Sequence, residues 1–112
     1  MNHPLPRGKA LDVLDIMIEE PNREFFGLEL VRMSNKKLER NSIYMVLTRM
    51  VAFGFLEGRL ETDEERQRDN IRGPKRRLYK ITNYGKKMHA AHCAAEKVIR
   101  TGRAMKPAGA MN

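Results

Sequence analysis

The chain of 112 residues contains no tryptophan, one cysteine, three tyrosines and four phenylalanines. A lone Cys93 cannot close a disulfide within the chain. The stretch Met1-Asn2-His3-Pro4-Leu5-Pro6-Arg7 carries none of the apolar character of a secretory signal. Both points lead to the expectation of a cytoplasmic protein. No apolar run approaches the ~18 residues that would read as a membrane span, so no membrane partner is expected. The phosphate-binding glycine loop, the dinucleotide glycine pattern and the helical His-Glu-x-x-His pair are all missing, and catalytic residue types are not concentrated outside the charged runs. An enzyme is therefore not expected, nor a cofactor. Acids are also scarce where it matters: beyond residue 71 the only one is Glu96.

What is present is strongly basic and unevenly so. The 22 basic and 14 acidic residues give a net charge of +8. Residues 1–71 hold 11 basic and 13 acidic side chains, a net −2, whereas residues 72–112 hold 11 basic side chains against one acid, a net +10. A block of that density attracts a polyanion. Apolar residues make up 41% of the chain, enough for one small globular domain and too many for a disordered one.

Residues 1–7, with two prolines and no periodicity, read as an extended arm. From Lys9, the residues Ala10, Leu11, Leu14, Met17 and Ile18 recur at helical spacing, and Pro21-Asn22 ends the helix. A second short helix is expected from Gly27 to about Met33, with Leu28, Leu30 and Val31 inward. The polar turn Ser34-Asn35-Lys36-Lys37 follows, and Leu38 packs beneath it. A third helix opens at Asn41 or Ser42, either of which can cap it. Its apolar stripe is Ile43, Val46, Leu47 and Met50, and Gly54 closes it. Residues 55–61 alternate as a strand with Leu56 and Leu60 on one face, and Phe53, Phe55 and Tyr79 are expected in the core. The charged residues 62–74 read as a long hairpin loop. A return strand carries Arg77, Tyr79 and Ile81 on one face, with Arg77 at the open end. Thr82 caps a final helix in which Tyr84, Met88, Ala91, Ala95 and Val98 form a coiled-coil-like seam. Residues beyond 103 read as a disordered tail.

The expected fold is thus mainly α with a small β-hairpin: a winged helix-turn-helix of three helices and a two-stranded wing over residues 8–82, then a dimerisation helix over 83–103. A third helix of this kind fits the major groove of DNA, and a basic hairpin tip reaches the adjacent backbone.

Four motifs, in order, resemble the PadR family of transcriptional regulators. They are Gly27-Leu28-Glu29-Leu30, Ser42-Ile43-Tyr44 opening the third helix, Gly54-Phe55-Leu56 at the step into the wing, and Arg76-Arg77-Leu78-Tyr79-Lys80-Ile81-Thr82 in the basic strand and cap. The resemblance covers roughly residues 8–100. It departs from the family at Phe26-Gly27-Leu28, where His-Gly-Tyr is frequent, and at Leu78, where an aromatic is usual. The final helix is also short for the family. The resemblance implies a dimeric repressor-like protein on double-stranded DNA, with a small-molecule effector bound at the dimer interface.

Candidate contacts follow. On the third helix, Ser42, Tyr44, Met45, Thr48 and Arg49 lie at its start or off the apolar stripe. Hydroxyls suit phosphate, and arginine can bind guanine bidentately. In the wing, Arg72, Lys75, Arg76 and Arg77 fall within six residues with no acid between them, although alternation sends Arg76 and Arg77 to opposite faces. Lys36 and Lys37 are secondary phosphate candidates. The acidic run Asp63-Glu64-Glu65 lacks the spacing of a calcium loop, and is expected to balance Arg66 and Arg68 in solvent, away from phosphates. His89, His92 and Cys93 could share a helix face near a metal, but no fourth ligand is evident, so no metal is assigned. Two other functions fit a basic winged helix: a protein-interaction module, and an RNA-binding protein. The scarcity of exposed aromatics on which bases could stack argues against RNA.

Overall fold

The computed structural model describes Pro6, residues 8–70 and residues 72–100, with side chains up to Glu96. The expected tail beyond 103 and the arm apart from Pro6 lie outside the described residues. Eight elements follow one another: α1 (Lys9–Met17), β1 (Phe25–Phe26), α2 (Gly27–Met33), α3 (Ile43–Ala52), β2 (Leu56–Leu60), α4 (Asp63–Arg68), β3 (Arg77–Ile81) and α5 (Asn83–Arg100). The bounds of α2, expected from its two-turn pattern, match. The strands form one antiparallel sheet in the order β1-β3-β2, with Phe25 opposite Tyr79 and Gly58 opposite Tyr79 on its other side.

The core is built where the helical stripes meet the inner face of this sheet. Val13, Leu14 and Met17 of α1, Leu30 of α2, and Ile43, Leu47 and Met50 of α3 are buried with Phe25, Leu38, Phe55, Leu56, Tyr79 and Ile81. Each large apolar side chain removed from water contributes roughly 1.5–3 kcal/mol, so this cluster carries the bulk of the folding drive. Phe53 departs from expectation. It is an exposed residue at the end of α3, its ring 5.9 Å from that of the buried Phe55. Leu60 departs too: it keeps the parity of Leu56, but β2 has left the core by that point and its side chain is half exposed.

Two elements were not legible as such. β1 is two residues long, too short for alternation to register, and turns the expected two-stranded wing into a three-stranded sheet. The stretch expected as a bare loop over 62–74 contains α4. Thr62 caps it reciprocally: Glu65 N donates to Thr62 Oγ1 at 3.1 Å and Thr62 N donates to Glu65 Oε1 at 2.8 Å. Acids fill the first turn and Arg66 and Arg68 the last, the order that suits the helix dipole. The same charges that read as solvation are thus matched to a helix.

The wing closes on Glu61, which is only 2% exposed. Its Oε1 accepts from Arg76 N at 2.8 Å, Arg76 Nε at 3.1 Å and Arg66 Nη1 at 3.0 Å, and its Oε2 accepts from Arg76 Nη2 at 2.8 Å. Arg66 also donates to the carbonyls of Gly73 and Pro74, gathering the tip. The bonds from Arg76 hold the Glu61 carboxyl down at a pKa of about 2, against an ordinary value near 4.5. Glu65 is likewise held at about 2, first by Arg59, which forks between Glu65 and Glu24 at 2.7–2.9 Å. The acidic run therefore does not balance its own helix in solvent. Glu65 serves Arg59, and Asp63 lies 3.1 Å from Lys75. Of the expected partners, Arg66 turns to Glu61, and Arg68 lies 3.5 Å from Asp69.

α5 is anchored at its first turn. Thr82 Oγ1 accepts from Gly85 N at 2.9 Å, the expected cap, and donates to Gly54 O at 2.6 Å; Thr82 N donates to Phe55 O at 3.0 Å. Gly54, at φ +86°, is the left-handed residue that ends α3. Gly85 is buried against this junction, where an added Cβ would collide with Phe55 O and stand 2.9 Å from Ile81 Cγ1. Tyr84 stacks on Phe55 at 5.7 Å, Met88 packs on the core, and His89 Nε2 bonds Asp15 Oδ1 of α1 at 2.8 Å.

Two outcomes test this account. Gly85→Ala should lower stability by about 2 kcal/mol in urea unfolding, because backbone, not a flexible side chain, blocks the new methyl. The second concerns pH. A carboxyl whose folded pKa lies below its unfolded one stabilises the protein above the unfolded value, and this is lost as pH falls through the folded value. The urea midpoint should therefore fall between pH ~4.5 and ~2. Glu61→Gln should flatten that slope and lower the midpoint at neutral pH.

Candidate nucleic-acid interface

One surface collects the outward side of α3, the turn before it and the inner edge of the wing. Helical spacing puts Ile43, Leu47 and Met50 in the core and leaves Tyr44, Met45, Thr48, Arg49 and Ala52 outside. Met45, Thr48 and Ala52 run along the middle of this face, with Tyr44 on the flank toward the wing and Arg49 on the other. Met45 is 60% exposed and Tyr44 50%. Thr48 Oγ1 donates to Tyr44 O at 2.7 Å, so its hydroxyl is engaged one turn back on its own helix.

Tyr44 is positioned by the absence of a side chain opposite it. A Cβ on Gly27 would stand 2.9 Å from Tyr44 Cε1. Glu29, also in that motif, accepts from Phe26 N at 2.9 Å and so caps α2, while Arg23 Nη2 holds its other oxygen at 2.7 Å. The motif residues thus set α2 against α3, and the tyrosine ring lies in the resulting seam. Ser42 does less than expected. It occupies the N-cap position of α3 without a capping bond, and its Oγ instead accepts from Lys9 Nζ at 3.3 Å. Lys9 also bonds Glu39 at 2.7 Å, so Ser42 faces α1 rather than open solvent.

Lys36 and Lys37 are exposed in the turn between α2 and α3, where Asn35 and Lys36 take left-handed φ values of 58° and 72°. Asparagine adopts that conformation readily; lysine does so less often.

The four wing cations are not equivalent. Arg76 is committed to Glu61 and its guanidinium lies 3.8 Å from the centre of the Phe26 ring, which makes it part of the fold. Lys75 is exposed but ion-paired with Asp63, so an acid does sit beside the tip, contrary to expectation. Arg72 and Arg77 are exposed and make no ion pair among the described residues. Between wing and helices lies a groove of about 520 Å³ lined in part by Phe26, Tyr44, Thr48, Leu60, Lys75 and Arg77. Arg32, in the last turn of α2, also lines it and was missed in the sequence reading. A basic residue at the exposed end of a helix was the available signal, but it is shared by many surface arginines.

The expected dimer seam divides. Tyr84 and Met88 are half-buried against their own core, while Ala91 is exposed and Ala95 half-exposed. The side chain of Val98 lies outside the described residues. Cys93 Sγ is 3.9 Å from His89 Nδ1, and His92 Nε2 is 3.6 Å from Glu96. No group of three metal-ligating side chains occurs among the described residues, and none of their helices is long and apolar enough to cross a membrane.

No family model and no curated protein matches the chain. Solved structures do. A candidate transcriptional regulator from Thermoplasma acidophilum is 28% identical, with a TM-score of 0.59 over 80% of this chain and 84% of that one. A transcriptional regulator from Clostridium thermocellum is 16% identical, with a TM-score of 0.59 over 84% and 87%. A PadR-like transcription factor from Bacteroides fragilis is 19% identical, with a TM-score of 0.62 over 88% and 90%. The chain has the winged-helix fold found in PadR-like transcription factors, the family its motifs resemble.

Proposed function

We propose that the protein is a sequence-specific DNA-binding transcriptional regulator, acting as a homodimeric repressor on a pseudo-palindromic operator. The observation that carries this reading is the joint placement of an exposed, acid-free α3 face and a wing edge bearing the unpaired Arg72 and Arg77. α3 enters the major groove with Tyr44, Met45, Thr48 and Arg49 toward the bases. Arg72, Arg77 and, at the far end, Lys36 and Lys37 bind flanking phosphates. Lys75 joins them when phosphate displaces Asp63. Ser42, turned toward Lys9, and Arg76, locked to Glu61, position the surface rather than touch DNA.

Pairing of subunits falls to the outer turns of α5, because Tyr84 and Met88 are partly spent on their own core. Ala91 and Ala95 are small enough for two helices to approach closely, and the distance between the two α3 helices then sets the half-site spacing. A small-molecule effector at that interface would act by changing this distance. Repression itself rests on the family resemblance.

Duplex binding should weaken steeply with salt. If a dimer neutralises ~6–10 phosphates, affinity falls about 10³–10⁵-fold between ~50 and ~200 mM salt. Arg72→Ala and Arg77→Ala should weaken preferred and random duplexes alike, each lowering the salt slope by about one. Arg49→Ala should cost about 1–3 kcal/mol on the preferred site and much less on random DNA. Arg76→Ala should instead lower the unfolding midpoint. A flat salt response with retained partner binding would favour a protein-interaction module, and preference for RNA over duplex DNA would favour the other alternative.

Ala91→Glu with Ala95→Glu should dissociate the dimer in sedimentation and weaken operator binding in parallel. A wild-type chain that remains monomeric at tens of micromolar would remove the dimer from the reading.

A further inference from the structure

About a third of this chain's residues are charged, yet the exposed midline of α3 carries no charge at all. It presents the thioether of Met45, the β-methyl of Ala52 and, between them, Thr48. The Thr48 hydroxyl gives its proton to Tyr44 O, so it has no donor left for a base; its methyl and an acceptor lone pair remain. No side chain on this midline is an amide that could bind adenine bidentately, and none is an acid that could accept from cytosine. Met45 leaves 60% of itself in water at the centre of this face.

We propose that the midline of α3 reads thymine methyl groups, with Met45 and Thr48 as the specificity-determining residues. This rests on α3 being the groove-entering helix. The C5 methyl of thymine is the one apolar group that a base pair exposes in the major groove, and short apolar side chains are its natural contacts. The flanks fit the same occupant. Arg49 on one side, and Arg77 with the rest of the wing on the other, supply positive charge on both edges of an apolar strip. A duplex has the complementary layout, with methyls in the groove floor and phosphates at its rims. An apolar protein partner would fill the strip but leave those cations without counter-charge.

The test uses the full chain and the duplex it selects from a random-sequence pool. Thymines in each half-site are replaced one at a time by deoxyuridine, which removes only the methyl. At two positions per half-site the wild-type protein should lose about fourfold in affinity per methyl, the scale of one buried methyl-sized group. Met45→Ala should erase the discrimination at one of them. Thr48→Ser, which keeps the hydroxyl and removes the methyl, should erase it at another, whereas Thr48→Val should keep it. Both side chains are exposed, so thermal melting should be unchanged and folding does not confound the result. Equal affinity for thymine and uracil duplexes at every position would overturn the proposal while leaving duplex recognition intact. Failure to select any duplex would overturn both this proposal and the proposed function.

Discussion

The wing depends on a single buried carboxylate. Glu61 sits at the end of β2, nearly out of solvent, where an unpartnered charge could not remain ionised. It stays ionised because Arg76 clamps both its oxygens and Arg66 approaches from α4. Arg66 lies within the segment 62–75, in α4, and Arg76 follows it, so one carboxylate ties α4 to the returning chain and fixes the tip between them. Arg76 supplies three of the four bonds to the buried Glu61 carboxylate, two of them from its side chain, and removing that side chain would be more damaging than the pair itself is stabilising. The network is therefore better understood as fixing geometry than as adding stability, and the apolar cluster beneath it supplies the latter.

The second constraint lies at the other end of the sheet. Thr82 bonds the carbonyls just after α3, caps α5 and continues β3, so one residue couples α3, the wing and the helix proposed to pair subunits. Gly85 lets α5 approach the Phe55 carbonyl closely enough for this to happen. A change in the angle of α5 cannot then occur without pressure on the end of α3. Under the proposed function, that linkage is the physical route from the subunit-pairing helix to the DNA-facing one, and it uses a backbone junction rather than a chain of side chains.

Much of this was legible in the sequence. The stripe Ile43, Val46, Leu47, Met50 located α3 and its outer face; Gly54 and Thr82, two residues whose local chemistry is unambiguous, bounded the wing. What escaped detection either has a pairwise and distant signal or lacks hydrophobic periodicity. The two-residue β1 exists only because Phe25 meets Tyr79. α4 is short and apolar-poor, so hydrophobic periodicity is silent, although the Thr62-x-x-Glu65 capping pattern was there to be read. The arginines Arg76 and Arg77 are neighbours of identical type, and only the fold tells that one is spent on Glu61 while the other is free. Composition can count cations; it cannot assign them.

That assignment decides how the basic half of the chain works. Arg76 gives Nε and Nη2 to the buried Glu61, so the fold fixes its guanidinium and leaves only the Nη1 edge unengaged among the described residues. Lys75 is a different case. Its pair with Asp63 is solvent-exposed on both sides, and such pairs are worth about 0–1 kcal/mol. A phosphate oxygen could replace Asp63 at little cost, so the pair leaves Lys75 available for the phosphate contact proposed above. Arg72 and Arg77 need no such exchange. Among the described residues the wing thus contains three grades of cation, structural, exchangeable and unpaired, and under the proposed function the affinity for a duplex follows the last two rather than the formal charge of the segment.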